Sequence, residues 1–194
     1  MSRYNHEIDR IKSPTYWYNA CMKLNAKQLR KGKAGRGKGK VKKQEIYIVL
    51  DNVLDTYNIG SIFRLADAVA ASKVFLCGES ETPPNHRIKK ASINTTEWVD
   101  WEYAETTSEV IKDLRLKIKN IQIIAIEQAA GSVQYDKFEY KLPICLVVGH
   151  ESDGVSKEVL NLVDAIVEIP MFGVNKSLNV MVSLGVILYT LLAS

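Results

Sequence analysis

Cysteine, histidine and long apolar runs are all scarce in this chain of 194 residues, and each scarcity removes a class of function. Cys21, Cys77 and Cys145 are odd in number and lack CxxC spacing, so neither a disulfide scaffold nor a cysteine zinc site is expected. Cys77 and Cys145 lie in apolar, strand-like runs and read as buried thiols of a protein kept in a reducing cytoplasm. His6, His86 and His150 are scattered, and His150-Glu151 has no second histidine four residues on, so no metal is expected. The longest apolar run, Val180 to Ala193, is broken by Ser183, Gly185 and Thr190 and is too short to cross a bilayer. No apolar segment follows the N-terminal Met1-Ser2-Arg3, so the reading is of a chain with neither membrane span nor export signal. What is present is ordinary for a globular protein: with 46% hydrophobic and 25% charged residues, one domain with a short extension can bury a core.

Acidic residues are absent from one whole region. Between Lys27 and Lys43 there is none, while nine Lys or Arg residues are interleaved with Gly32, Gly35, Gly37 and Gly39. Residues 1–43 carry 13 cations against Glu7 and Asp9, a balance of +11, so residues 44–194 carry −7 of the overall +4. Such a Gly/Lys stretch has little to fold around, and its cations suit a polyanion whose counterions they displace. Lys31, Lys33, Arg36, Lys38, Lys40, Lys42 and Lys43 are therefore expected to bind RNA, and Tyr16-Trp17-Tyr18 upstream offers stacking surfaces. A merely solvated tail is the alternative. Helical spacing from Ile8 to Leu29 predicts a short helical piece, so the chain divides into a basic extension, 1–43, and a main domain, 44–194.

The main domain alternates strand and helix. Ile46–Leu50, Val74–Cys77, Ile121–Ile126, Ile144–Val148 and Ile166–Ile169 read as strands. Helices are predicted from Asn58 or Gly60 to Ala71, from a cap at Ser108 to Ile118, over Ser156–Val163 and over Ser177–Leu192, with a short one at Ile88–Ser92. That rhythm predicts an α/β fold with a mostly parallel sheet flanked by helices. Two nucleotide fingerprints fail against it. Gly149 to Ser156 follows a strand and matches GxxxxGK[ST] at both glycines and the serine, but Val155 stands where the phosphate-binding lysine must be. Gly35-Arg36-Gly37-Lys38-Gly39 follows no strand.

Three other motifs do fit. Asn58-Ile59-Gly60-Ser61-Ile62-Phe63-Arg64 resembles the NxGxxxR motif of the SpoU (TrmH-like) RNA ribose 2′-O-methyltransferases of the SPOUT superfamily. Gly149-His150-Glu151-Ser152-Asp153-Gly154-Val155-Ser156 resembles their second motif, and Ile169-Pro170-Met171 to Ser177-Leu178-Asn179-Val180 their third. The three occur in the family's order over about 145 residues from Glu45 on. The resemblance implies an enzyme that uses S-adenosyl-L-methionine (AdoMet), a C-terminal trefoil knot, a homodimer, and transfer of a methyl group to a ribose 2′-OH of tRNA or rRNA, with tRNA favoured.

By the same resemblance Arg64, Glu151, Ser177 and Asn179 are the expected catalytic group, and Gly149, Ile169 and Leu178 hold the adenosine part of AdoMet through main-chain groups. A guanidinium stays protonated, so Arg64 suits a bidentate grip on an RNA phosphate better than the role of base. Glu151, just after a strand, can fix Arg64 or a loop amide. Ser177 and Asn179 can meet RNA or cofactor at the start of the last helix, or simply cap it. Asn58, Gly60 and Gly154 are read as architectural, the first two in a tight turn at a helix start. Departures from the family pattern are Ala70 in place of glycine, His150 in place of Asn or Ser, and Met181 and Leu184 in place of small residues. A non-catalytic RNA-binding or assembly protein that kept the fold is the competing reading.

Overall fold

A computed structural model describes residues 41–193. The expected N-terminal helical piece, the aromatic cluster and the cations Lys31, Lys33, Arg36, Lys38 and Lys40 lie outside those residues, whereas Lys42 and Lys43 are described and exposed.

Seven strands form one sheet: β1 (Gln44–Asp51), β2 (Ala71–Cys77), β3 (Trp101–Ala104), β4 (Gln122–Ile126), β5 (Val133–Gln134), β6 (Ile144–Gly149) and β7 (Ala165–Glu168). Their order is β3-β2-β1-β6-β4-β7-β5, and every neighbouring pair is parallel. Alternation along β1 explains the layering. Ile46, Ile48 and Leu50 point to one face and Val49 to the other, and all four are fully buried, as strands covered on both sides require. Helices α1 (Thr56–Ala68), α2 (His86–Ser92) and α5 (Val180–Ala193) belong to the first face. Helices α3 (Thr107–Lys117) and α4 (Lys157–Leu160) cover the second.

Local chemistry sets the helix ends. Asp55 caps α1, its Oδ1 accepting from the Tyr57 N–H at 2.7 Å. Helix α1 therefore already contains Asn58 and Gly60, which sit in helix rather than in the expected turn. Gly60 has a different reason to be glycine: a Cβ there would lie 2.5 Å from Ala91 Cβ and 2.8 Å from the Ile88 carbonyl, so α1 and α2 touch backbone to backbone. Ala70, just past the α1 C-cap, has φ 52° and lies in the left-handed region, which is why glycine is the usual residue at that place.

Other boundaries shift by a residue or more. Thr106, not Ser108, caps α3, accepting from Glu109 N–H at 3.2 Å, while the Ser108 hydroxyl donates to Glu158. The last helix begins at Val180 rather than Ser177, because Asn179 Oδ1 accepts the Met181 and Val182 N–H groups at 3.0 and 3.4 Å. Leu184, Ile187, Leu188 and Leu191 then bury one stripe of α5, each contributing roughly 1.5–3 kcal/mol. The departure residues Leu184 and Met181 thus face the domain's own core. Edge strands β3 and β5 were not expected from the sequence. They are short and partly exposed, so they lack the apolar runs that mark the inner strands.

Candidate active site at the carboxyl edge of the sheet

Parallel strands all end on one edge, and the first three residues to gather there come from the three motifs. Glu151, two residues past β6, accepts hydrogen bonds from Leu54 N–H at 3.2 Å, Asp55 N–H at 3.0 Å and Asn58 Nδ2 at 3.0 Å. Asn58 Oδ1 in turn accepts from Asn179 Nδ2 at 2.9 Å. A chain Glu151–Asn58–Asn179 thus joins the loop after β6, the first turn of α1 and the start of α5. Partial burial pushes the Glu151 carboxyl up, but the bonds from Asn58, Leu54, Asp55 and its own N–H outweigh that and hold it below the ordinary glutamate value. Glu151 therefore fixes loop amides and Asn58, and not Arg64.

Arg64 stands elsewhere on α1. Six residues beyond Asn58, it lies roughly 120° around the helix by the 3.6-residue turn, is exposed, and has no hydrogen-bond or ion-pair partner among the described residues. Within one chain Arg64 is not brought to the Glu151 cluster.

The loop after β6 is built from its own backbone. His150 and Gly154 exchange two main-chain hydrogen bonds, of 3.0 and 2.9 Å, closing a tight turn. His150 Nδ1 accepts from the Ser152 and Asp153 N–H groups at 3.1 and 3.2 Å, doing for the turn what an Asn or Ser oxygen does in an Asx-type turn. The Asp153 carboxylate lies 3.3 Å from the same nitrogen. A Cβ on Gly149 would lie 2.2 Å from Gly154 C and Val155 N, and Gly154 has φ 70°. Both glycines are thus demanded by geometry.

Pro170–Leu178 is the opposite case. Ile169, just past β7, lends its carbonyl to Gln128 Nε2 at 3.1 Å, and Asn179 ties the far end to Asn58. Between these anchors, Ser177 N–H to Asn175 Oδ1 at 3.5 Å is the hydrogen bond made among the described residues. Phe172 and Val174 are almost fully exposed, Leu178 is 40% exposed, and Ser177 is exposed in this segment rather than in the helix. A stretch pinned at both ends, whose main-chain groups make no other hydrogen bond among the described residues, suits a ligand held by backbone groups, as the adenosine part of AdoMet would require.

Three polar residues at this edge carry no motif and were missed from the sequence. Asp51, at the end of β1 and only 3% exposed, accepts from Thr107 Oγ1 at 2.7 Å, Asn52 Nδ2 at 3.1 Å and Ser156 N–H at 2.8 Å. Glu127 and Gln128, just past β4, reach Val155 N–H at 2.9 Å and the Ile169 carbonyl. Their one sequence signal is position, polar residues directly after apolar strands. Cys77 and Cys145 take no part: burial pushes the Cys77 thiol up to about 12 and Cys145 upward as well. Among the described residues no cluster of His, Cys, Asp and Glu could hold a metal ion, and no helix is long and apolar enough to cross a membrane.

An all-parallel sheet whose loops converge at one edge defines an α/β domain with its site outside the carboxyl ends of the strands. A family model described as SpoU rRNA Methylase matches residues 45–189, and the chain belongs to that family. A tRNA (guanosine(18)-2′-O)-methyltransferase of Aquifex aeolicus is 33% identical over 152 residues, covering 76% of this chain and 69% of the relative. A 23S rRNA (guanosine-2′-O-)-methyltransferase of Ralstonia nicotianae is 30% identical over 144 residues, covering 74% and 57%. The crystal structure of an AdoMet-bound rRNA methyltransferase from Sinorhizobium meliloti aligns with TM-score 0.70 and 32% identity, over 77% of this chain and 56% of that one. The chain therefore spans a little over half to about two thirds of the length of these proteins.

Proposed function

We propose that this protein is an AdoMet-dependent RNA methyltransferase that transfers a methyl group to a ribose 2′-OH of structured RNA. The observation that carries the reading is the chain Glu151–Asn58–Asn179, which fastens three motifs of one family into a single site. Bound AdoMet supplies a methyl group on a sulfonium. Gly149, Ile169 and Leu178 line the two walls that hold its adenosine part by main-chain groups, and Ser177 and Asn179 lie where RNA and cofactor meet. The tight turn and the pinned Pro170–Leu178 segment support that fit.

Arg64 is the residue that engages RNA. Its exposed guanidinium, without a partner among the described residues, grips a phosphate next to the target nucleotide and orients the sugar hydroxyl, whose proton leaves through that phosphate or water. Glu151 acts by holding Asn58 and the α1 start in place. The homodimer reading is supported by α5, whose Val182, Tyr189 and Leu192 remain 39–56% exposed away from its buried stripe. Residues 44–194 form the methyltransferase domain, with the C-terminal segment threaded as a trefoil knot, and residues 1–43 form a basic extension that adds affinity for RNA. The protein works in the cytoplasm. tRNA is favoured over rRNA as substrate, in line with the Aquifex relative.

Labelled methyl transfer from AdoMet to total tRNA and to rRNA tests the reading. Arg64→Ala is expected to lower the rate by about 10²-fold or more with AdoMet affinity unchanged. Full activity in that variant would overturn the role of Arg64, and absence of transfer to either RNA by a wild type that binds both ligands would favour the non-catalytic reading. Deleting residues 1–43 is expected to weaken RNA binding and lower the slope of log K against log salt by about 0.9 for each phosphate that is no longer neutralised.

A further inference from the structure

We propose that Glu127 and Gln128 are positioning residues that set the separation of the two walls of the AdoMet cleft. The inference rests on the methyltransferase reading of the same edge. Strand β4 lies between β6 and β7 in the sheet, so its carboxyl end stands between the loop after β6 and the segment after β7. Two consecutive side chains there reach in opposite directions. Glu127 Oε2 accepts the Val155 N–H at 2.9 Å, and Gln128 Nε2 donates to the Ile169 carbonyl at 3.1 Å.

The fit on the Glu127 side is close. A Cβ on Gly154 would lie 2.1 Å from Oε2, so the carboxylate occupies the space that a side chain at that position would take. Glu127 Oε1 accepts the Gln128 N–H at 2.8 Å, and the Glu127 N–H donates to the Val167 carbonyl at 3.0 Å, so the clamp is itself fixed to its neighbour strand. No lysine, arginine or histidine pairs with Glu127 among the described residues, so its negative charge is committed to main-chain N–H groups. This pair commits a carboxylate to the loop that begins at Gly149 and an amide to Ile169, the two places where main-chain groups would meet the cofactor.

Calorimetric binding of AdoMet to the full chain without RNA tests the clamp. Glu127→Ala and Gln128→Met are each expected to weaken AdoMet binding about tenfold, while RNA affinity holds. Glu127→Gln, whose amide oxygen still accepts from Val155, is expected to stay within about threefold of wild type. Hydrogen exchange over residues 150–156 is expected to accelerate in Glu127→Ala even without AdoMet. AdoMet affinity unchanged in both removal variants would overturn the proposal, as would AdoMet and RNA affinity falling together with thermal stability. A wild-type protein that binds no AdoMet would instead overturn the methyltransferase reading, and accelerated exchange in Glu127→Ala would still separate the two.

Discussion

The loop after β6 and the segment after β7 line the same edge of the sheet, yet one satisfies its own backbone and the other does not. Gly149–Ser156 closes on itself through His150 and Gly154, is held from outside by Glu127 and Asp51, and reaches through its own Glu151 to Leu54, Asp55 and Asn58. Among the described residues, Pro170–Leu178 is anchored at its two ends, through Ile169 and Asn179. Rigidity and openness are thus divided between two neighbouring walls. A site that must hold a cofactor and release it again gains from one wall formed in advance and another whose groups pair when the ligand arrives.

Glycine substitutions probe the division most strongly. Gly149→Ala forces a methyl group to within 2.2 Å of Gly154 and Val155 backbone, and should cost about 3 kcal/mol, lowering Tm by roughly 6–12 °C. Gly173→Ala meets nothing within 4 Å and should change stability by less than about 0.5 kcal/mol. Equal losses in thermal melts of the two variants would erase the contrast. Hydrogen exchange gives the next effect: amides of 171–178 should exchange rapidly in the free protein and slow on adding AdoMet, while that of Val155 stays protected throughout. Protection of 171–178 in the free protein would break the comparison.

The smallest expected effect concerns acid. Glu151 has a folded pKa below its unfolded value, so its contribution to stability is present above ordinary glutamate pH and is lost as pH falls through the depressed folded value. Its exposure keeps that contribution small. Tm measured from pH 7 down to pH 3 should therefore fall less steeply in Glu151→Gln than in wild type.

Much of this was legible in the sequence because the signals are local. The inner strands β1, β2, β4 and β6 are apolar runs that only a doubly covered sheet can bury, and the three motifs follow β1, β6 and β7. Ala70 and His150, read as departures, keep the geometry: one takes the left-handed conformation without being glycine, and the other supplies the turn's acceptor with an imidazole nitrogen. What escaped was set by contacts distant in sequence. Gly60 reads as a turn former until Ala91 is seen against it, and Glu127 and Gln128 are ordinary polar residues until β4 is found between β6 and β7. Of the two partners expected for Glu151, the loop amides are found and Arg64 is not, since α1 begins at Thr56 and its rotation points Asn58, not Arg64, toward the carboxylate.

Asn58 offers a donor to one neighbour and an acceptor to another from a single carboxamide, 93 residues from the first and 121 from the second. Deamidation to aspartate would leave its outline unchanged while setting a second negative oxygen against Glu151, so ageing of one amide nitrogen would turn the clasp between three distant segments into a repulsion.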